Sequence, residues 1–149
     1  MLRETLTNDL KTAMKAGEKR RVDTIRLVNA ALKDKDIEAR GLGKSMADED
    51  ILALLQKMIK SRQESLGIYE GAGREDLAMI ERAEIAIIGA YLPQQMSDDA
   101  VKNAIAAAIA ETGAASVKDM GKVIAVLRAK FAGQMDFGKA SGLVKGMLG

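Results

Sequence analysis

The sequence predicts an all-α protein built as two small helical bundles, about four helices in residues 1–93 and three in residues 94–149, joined at Tyr91-Leu92-Pro93. Three observations predict it. Apolar residues recur at three- and four-residue spacing between glycines along the whole chain, which is the helical period. The composition includes 9 Met, abundant Ala and Leu and only 3% aromatics, a mix that favours helices over sheets. The single proline, Pro93, follows a nearly unbroken apolar run over residues 85–92. Because proline lacks an N–H and disfavours helical geometry in the residue before it, the helix should stop near Leu92. A chain of 149 residues suffices for one ordinary domain or two small ones, and 48% hydrophobic residues can fill their cores.

Taken in order, Leu2, Leu6, Leu10 and Met14 recur every four residues and predict a first helix with Lys11 and Lys15 on its polar side and Gly17 at its end. Residues 19–40 form the second, with Val22, Ile25, Val28 and Leu32 on one face and Gly41 as its stop. Lys19-Arg20-Arg21 is dense in positive charge, but Glu18, Asp23, Asp34, Asp36 and Glu38 offset it, and it reads as a solvated face. Gly41-Leu-Gly-Lys-Ser45 has the look of the end of a phosphate-binding loop. The full pattern needs a glycine where Glu38 stands and a feeding strand where an amphipathic helix stands, so this segment reads as a flexible connector.

Ser45 followed by Asp48 marks the third helix start, and Asp48-Glu-Asp50 complements its dipole. Ile51, Leu54, Leu55, Met58, Ser65 and Tyr69 trace its inner seam until Gly71-Ala-Gly73 breaks it. Lys57, Lys60 and Arg62 cluster along this helix, where Glu64 can pair with Lys60. From about Arg74 a fourth helix carries Leu77, Ile80, Ile87 and Tyr91 in one column and Ala78, Ile85, Ile88 and Leu92 in the next. Glu84 falls in the first column and Glu81 in the second, and carboxylates on an apolar face need a partner. Arg26, flanked at four-residue spacing by Val22 and Ala30, is in the same predicament. A structural ion pair of Arg26 with Glu81 or Glu84 is therefore expected, closing helix two onto helix four. Helical carboxylate metal clusters normally bring a Glu-x-x-His partner; the chain has no His, and no metal site is expected.

Past Pro93, Ser97-Asp-Asp99 caps a helix carrying Val101, Ile105 and Ile109 and ending at Gly113. Ser116 and Asp119 form a capping-box-like start for the next, whose inner face is Met120, Val123, Ile124, Leu127 and Phe131, with Gly133 as its stop. Asp136 caps the last helix, in which Ala140, Leu143, Val144, Met147 and Leu148 face inward. Gly138, Gly142 and Gly146 repeat every four residues there, each costing about 1 kcal/mol of helix stability relative to Ala. Such a face needs a reason: close approach of a neighbouring helix, or close approach of a nucleic-acid backbone. Lys139 and Lys145 interrupt it and exclude a membrane dimerisation motif.

Chemistry is bounded by what is missing. With no Cys and no His, disulfides, thiolate nucleophiles and the commonest general base and metal ligand are closed off, and no catalytic residue or cofactor is expected. No run of about 18 apolar residues and no basic-then-apolar leader is written, so neither a membrane span nor a compartment other than the cytoplasm is expected. Charge is uneven. Residues 1–96 carry 16 basic and 16 acidic side chains, whereas Lys118, Lys122, Arg128, Lys130, Lys139 and Lys145 face only Asp119 and Asp136 in a chain of net charge +2. The last two helices are the best candidate for an anionic partner. Few aromatics are available for base stacking, so a nucleic acid would be held by backbone and shape.

Several fragments together resemble the YqeY family, also called the GatB/YqeY family: Asp9-Leu-Lys-Thr-Ala-Met-Lys15, Ile25-Arg26, Gly73-Arg-Glu-Asp-Leu77, the Glu81/Glu84/Ile85 spacing, Tyr91-Leu-Pro93, Ser116-Val-Lys-Asp-Met-Gly-Lys-Val123, and Gly133 with Asp136 ahead of Val144. The resemblance spans nearly the whole chain. Ser141 stands where many members carry Asn, so no amide acts at that position here. The resemblance implies an all-helical protein whose second part is similar to the C-terminal tail of the B subunit of the tRNA-dependent amidotransferase, which helps hold tRNA while the chemistry occurs elsewhere. The family label, carbon–nitrogen ligase activity with glutamine as amide donor, comes from that similarity. A glutaminase needs an activated Cys, or a Ser with its Lys and Gly-rich loop, and an ATP site needs a phosphate cradle; this chain has neither constellation.

The expectation is thus a non-catalytic helical module that binds tRNA or other structured RNA. Lys118, Lys122, Arg128, Lys130, Lys139 and Lys145 form its footprint, and the Lys57, Lys60 and Arg62 cluster is a secondary candidate. Protein subunits of a tRNA-handling complex are possible partners. The alternative is a protein-interaction adaptor with a glycine-faced or Met-bearing surface, and a third reading is a working amidotransferase component.

Overall fold

The computed structural model describes residues 1–149 and consists of seven α-helices and one short 3-10 turn, without strands. The helices are α1 (Leu2–Ala16), α2 (Lys19–Gly41), α3 (Asp48–Gly71), α4 (Glu75–Gly89), α5 (Asp98–Thr112), α6 (Met120–Phe131) and α7 (Phe137–Leu148), with the 3-10 turn over Val117–Asp119 leading into α6. No helix is long and apolar enough to cross a membrane. The chain divides into two compact units, Met1–Leu92 and Pro93–Gly149, each with its own core.

In the first unit the core is Leu6, Ile25, Val28, Leu32, Ile51, Leu54, Leu55 and Ile88. The inner face of α1 drifts from the strict four-residue repeat. Ala13 is fully buried while Met14 is 53% exposed, because 3.6 residues per turn carries a four-residue stripe off the contact within three turns. On α2 the four expected core residues are buried, and Thr24 joins them by donating its hydroxyl to the Arg20 carbonyl at 2.8 Å. The left-handed residue after α2 is Gly43 at φ 71°, while Gly41 still belongs to the helix. The start of α3 also lies later than Ser45 implies. Ala47 is the N-cap, and its N–H donates to the Asp50 carboxylate at 2.9 Å, satisfying one of the four orphan donors.

The fourth helix ends at Gly89, three residues before Leu92. Its exit tightens instead into i→i−3 bonds, Tyr91 N–H to the Ile88 carbonyl at 3.1 Å and Leu92 N–H to the Gly89 carbonyl at 3.1 Å, so the chain leaves helical geometry in steps before Pro93. That exit is pinned within the unit. The Tyr91 hydroxyl donates to the Asp9 carboxylate on α1, and Arg21 at the start of α2 stands 3.7 Å from the same carboxylate. Burial first, and then the bond to Asp9, push the Tyr91 hydroxyl up to about 12.

In the second unit Ile105, Ala108, Val123, Leu127, Met135, Ala140 and Val144 form the core. Ser97 caps α5 by accepting the Ala100 N–H at 3.1 Å, and Asp136 caps α7 by accepting the N–H groups of Gly138 at 2.8 Å and Lys139 at 3.3 Å. Asp119 accepts from Ala115 at 3.0 Å and Ser116 at 3.4 Å, and those two N–H groups hold its carboxyl below the usual carboxylate range, with Lys122 adding to the effect. Residues after the proline are tied to the α6–α7 turn: Met96 N–H donates to the Gln134 carbonyl at 3.0 Å and the Gln95 amide to the Gly133 carbonyl at 2.6 Å. Leu143 and Met147, expected inside, are 37% and 48% exposed.

The raised Tyr91 value has a signed consequence. Between about pH 10 and pH 12 the unfolded chain ionises its tyrosine while the folded unit keeps the proton, so stability present below pH 10 should be lost as pH rises toward 12. Denaturant titrations at stepped alkaline pH should show this fall, and Tyr91→Phe should remove Tyr91's share of it while costing about 1 kcal/mol at neutral pH.

Candidate nucleic-acid interface

The 3-10 turn places Lys118 one turn before Lys122 at the head of α6, both exposed. Arg128 points toward α7, its guanidinium 5.1 Å from the centre of the Phe137 ring. That contact orients the cation without neutralising it. On α7, Lys139 and Lys145 are exposed and lie about 60° to either side of Gly142 around the helix. None of these five cations forms an ion pair. Lys130, the sixth expected member, is different: its ammonium bonds Glu111 on α5 at 2.7 Å, so it is already compensated.

The glycine face resolves one of its two explanations. A Cβ added at Gly142 or Gly146 would meet nothing within 4 Å, and one at Gly138 only the Asp136 cap at 3.1 Å. All three glycines lie on the outward side of α7, opposite buried Ala140 and Val144. No neighbouring helix needs them, which corrects the helix-packing explanation.

The secondary cluster is largely taken up by the fold. Arg62 donates from Nε to Glu84 at 2.7 Å and from a terminal nitrogen to the Met58 carbonyl at 3.1 Å, with both charged side chains only 17% exposed. Lys57 is exposed, and Lys60 is exposed but already interacts with another group.

The same bond corrects the expected Arg26 contact. Arg26 is exposed on the outward face of α2, away from Val22, Ile25, Val28 and Leu32, and Glu84 takes its cation from α3. A helical hairpin brings together residues equidistant from its turn, and Arg62 and Glu84 stand eleven residues either side of Gly73. That symmetry was legible; the four-residue flanks of Arg26 pointed elsewhere. Glu81 is half-buried and keeps one carboxylate oxygen, Oε2, buried without a hydrogen-bond partner. No group of three or more Asp or Glu side chains is gathered to hold a metal ion.

A family model described as Yqey-like protein matches residues 3–148. The chain belongs to the YqeY family. Relatives named altered inheritance of mitochondria protein 41, mitochondrial, are similar to it: 38% identical over 88 residues in Meyerozyma guilliermondii, covering 59% of this chain and 44% of that protein. The corresponding protein of Lachancea thermotolerans is 37% identical over 89 residues, 60% of this chain and 46% of that protein. That of Pyrenophora tritici-repentis is 30% identical over 106 residues, 67% and 57% respectively. The chain spans about half the length of these curated relatives. Their names correct the cytoplasmic expectation, since these relatives are named as mitochondrial proteins. The physical reason is simple: a helical fold without a membrane span is compatible with several aqueous compartments, and an address is read from targeting segments rather than from the fold.

Removing one partner of the half-buried pair leaves a desolvated charge. Arg62→Ala should therefore destabilise the first unit by about 1–3 kcal/mol, whereas Arg26→Ala should change stability by less than about 0.5 kcal/mol. Denaturant unfolding of the two variants checks the assignment, and the reverse order would restore the Arg26 pairing.

Proposed function

We propose that this YqeY-family protein is a non-catalytic helical module that holds tRNA or another structured RNA by its phosphate backbone, using Lys118, Lys122, Arg128, Lys139 and Lys145. The observation that carries the reading is that these five exposed cations form no ion pair, while Lys130 beside them does. Phosphates would supply the missing counter-charge and release condensed cations on binding. The open glycine face between Lys139 and Lys145 supports the same reading, because a backbone could approach α7 there without meeting a side chain. A link to tRNA-dependent amidotransfer would be as an accessory RNA-holding part, with the amide chemistry on other subunits.

The adaptor alternative has one observation of its own. Leu143 and Met147 lie one turn apart on α7 and stay exposed, as the contact pair of a partner helix would. Capture of a native partner that is lost on Leu143→Ser/Met147→Ser, with RNA affinity unchanged, would favour it.

Anisotropy with labelled tRNA tests the main reading. With five phosphate contacts, affinity should fall roughly 10²- to 10³-fold between 50 and 200 mM salt. Each of Lys118→Gln, Lys122→Gln and Lys145→Gln should lower the salt slope by about 1, and Lys130→Gln should leave it nearly unchanged. Absence of binding at low salt rejects the proposal. Gly142→Ala gives a separate reading of the glycine face: it should stabilise the second unit by about 0.5–1 kcal/mol while weakening RNA binding. Unchanged affinity in that variant would remove the glycine face from the interface.

A further inference from the structure

Three seven-residue columns run along one side of the α3–α4 hairpin, from the core of the first unit to the hairpin's tip. Leu54, Ser61 and Ile68 form one on α3, and Leu55, Arg62 and Tyr69 the next. Tyr91, Glu84 and Leu77 form the third on α4, with Ile87 and Ile80 beside it. A seven-residue step is nearly two helical turns, so each column keeps to one side of its helix with a drift of about 20° per step. Residues equidistant from Gly73 stand level across the hairpin, which sets Leu55 opposite Tyr91, Arg62 opposite Glu84 and Tyr69 opposite Leu77. At the core end the columns are covered by α1 and α2. Leu54 and Leu55 share a cluster with Leu6, Ile25 and Val28, and Tyr91 packs against that cluster while its hydroxyl bonds Asp9.

The middle row is the Arg62–Glu84 ion pair, which locks the two helices together at 2.7 Å. The row beyond it is apolar again but has lost its cover. Ile68 is 69% exposed, Tyr69, Leu77 and Ile80 are partly exposed, and none of the four packs against the core cluster. Between Arg62 and Glu84 only Ala78 is fully buried, because two helices without a third cannot enclose an apolar seam.

Charge selects what could complete this seam. From Arg62 to Glu84 the hairpin carries three arginines against six carboxylates, and each arginine is already held, by Glu84, Asp76 and Glu75. The wider helix pair, residues 48–92, has the same sign, with five basic side chains against nine acidic. A phosphate backbone or an anionic lipid surface would meet like charge here, and so would the hairpin of a second copy. We infer that the Ile68/Tyr69/Leu77/Ile80 face of the α3–α4 hairpin is a docking site for a basic amphipathic helix of a partner protein. Apolar residues of that helix, at three- and four-residue spacing, would take the role at the tip that α1 and α2 take at the core end, and its Lys or Arg flanks would face the excess carboxylates. From Arg62 to the end of α3 at Gly71 the hairpin offers about 15 Å, enough for roughly three turns of the partner. The site stands apart from the RNA reading of the second unit and does not depend on it.

The test uses the full chain and a fluorescein-labelled helical peptide of about four turns, with Leu at i, i+3, i+4 and i+7 and Lys on its flanks, titrated by anisotropy at low salt. A twin peptide with Glu in place of every Lys isolates the charge requirement. The inference expects the lysine peptide to bind and the glutamate twin not to bind. Affinity should fall about tenfold or more in Ile68→Ser/Leu77→Ser, about threefold or more in Ile68→Ser, and stay unchanged in Leu143→Ser/Met147→Ser on α7. Ile68 is an exposed position, so the single variant, checked for unchanged helicity and thermal midpoint, decides the matter where the double variant fails to fold. No binding of the lysine peptide, equal binding of the two peptides, or wild-type affinity in the folded hairpin variants overturns the inference. Dimerisation of the wild-type chain that Ile68→Ser abolishes also overturns it, by giving the face to a second copy.

Discussion

A cation bonded to a carboxylate inside the fold cannot also neutralise a phosphate without giving up that bond, and this exclusion sorts the basic residues of the chain. Of its 23 lysines and arginines, those that hold helices together already face a carboxylate, largely buried for Arg62 and at the surface for Arg3 and Lys130. Arg62 ties α3 to α4 through Glu84, and Lys130 ties α6 to α5 through Glu111. Arg3 ties the start of α1 to the end of α2 through Asp36. The cations without an ion pair are the more numerous, and the placement of five of them on the second unit carries the functional argument.

The second unit shows how secondary structure produces that placement. Asp119 and Asp136 are both occupied as caps, accepting backbone N–H groups at the starts of the α6 segment and α7. The two acidic residues in this stretch of the sequence are therefore turned toward backbone donors, while the lysines beside them project outward. The glycines of α7 extend the same logic. They lie opposite the buried Ala140 and Val144, where a side chain would have free space, and the helix forms despite them because its inner face packs on α5 and α6.

Much of the helical plan was legible because its signals are local. Ser97, Gly113, Asp136 and Gly17 act where their neighbours place them, through a side-chain acceptor or a left-handed backbone conformation that needs no information from elsewhere in the chain. Ends governed by more than one residue moved. The ladder of α4 gives way at Gly89, before the proline acts directly, and Ala47 takes over from Ser45 because Asp50 reaches back to it. Side-chain partners were the least legible. Arg26 shares four-residue spacing with buried Val22 but is exposed, as Ala30 on its other side is, and Tyr91 meets Asp9 across 82 residues of sequence. Net charge misled as well: a balanced total over the first unit conceals a positive half, residues 1–47, and a negative half, residues 48–92.

The central claim is that free cations, and not merely numerous ones, mark the RNA-facing surface. Lysine-reactivity footprinting of the full chain with and without tRNA at low salt tests it most directly. The account predicts protection of Lys118, Lys122, Lys139 and Lys145 while Lys130, bonded to Glu111, is unchanged. Equal protection of Lys130, or no protection at any of the four, would contradict it.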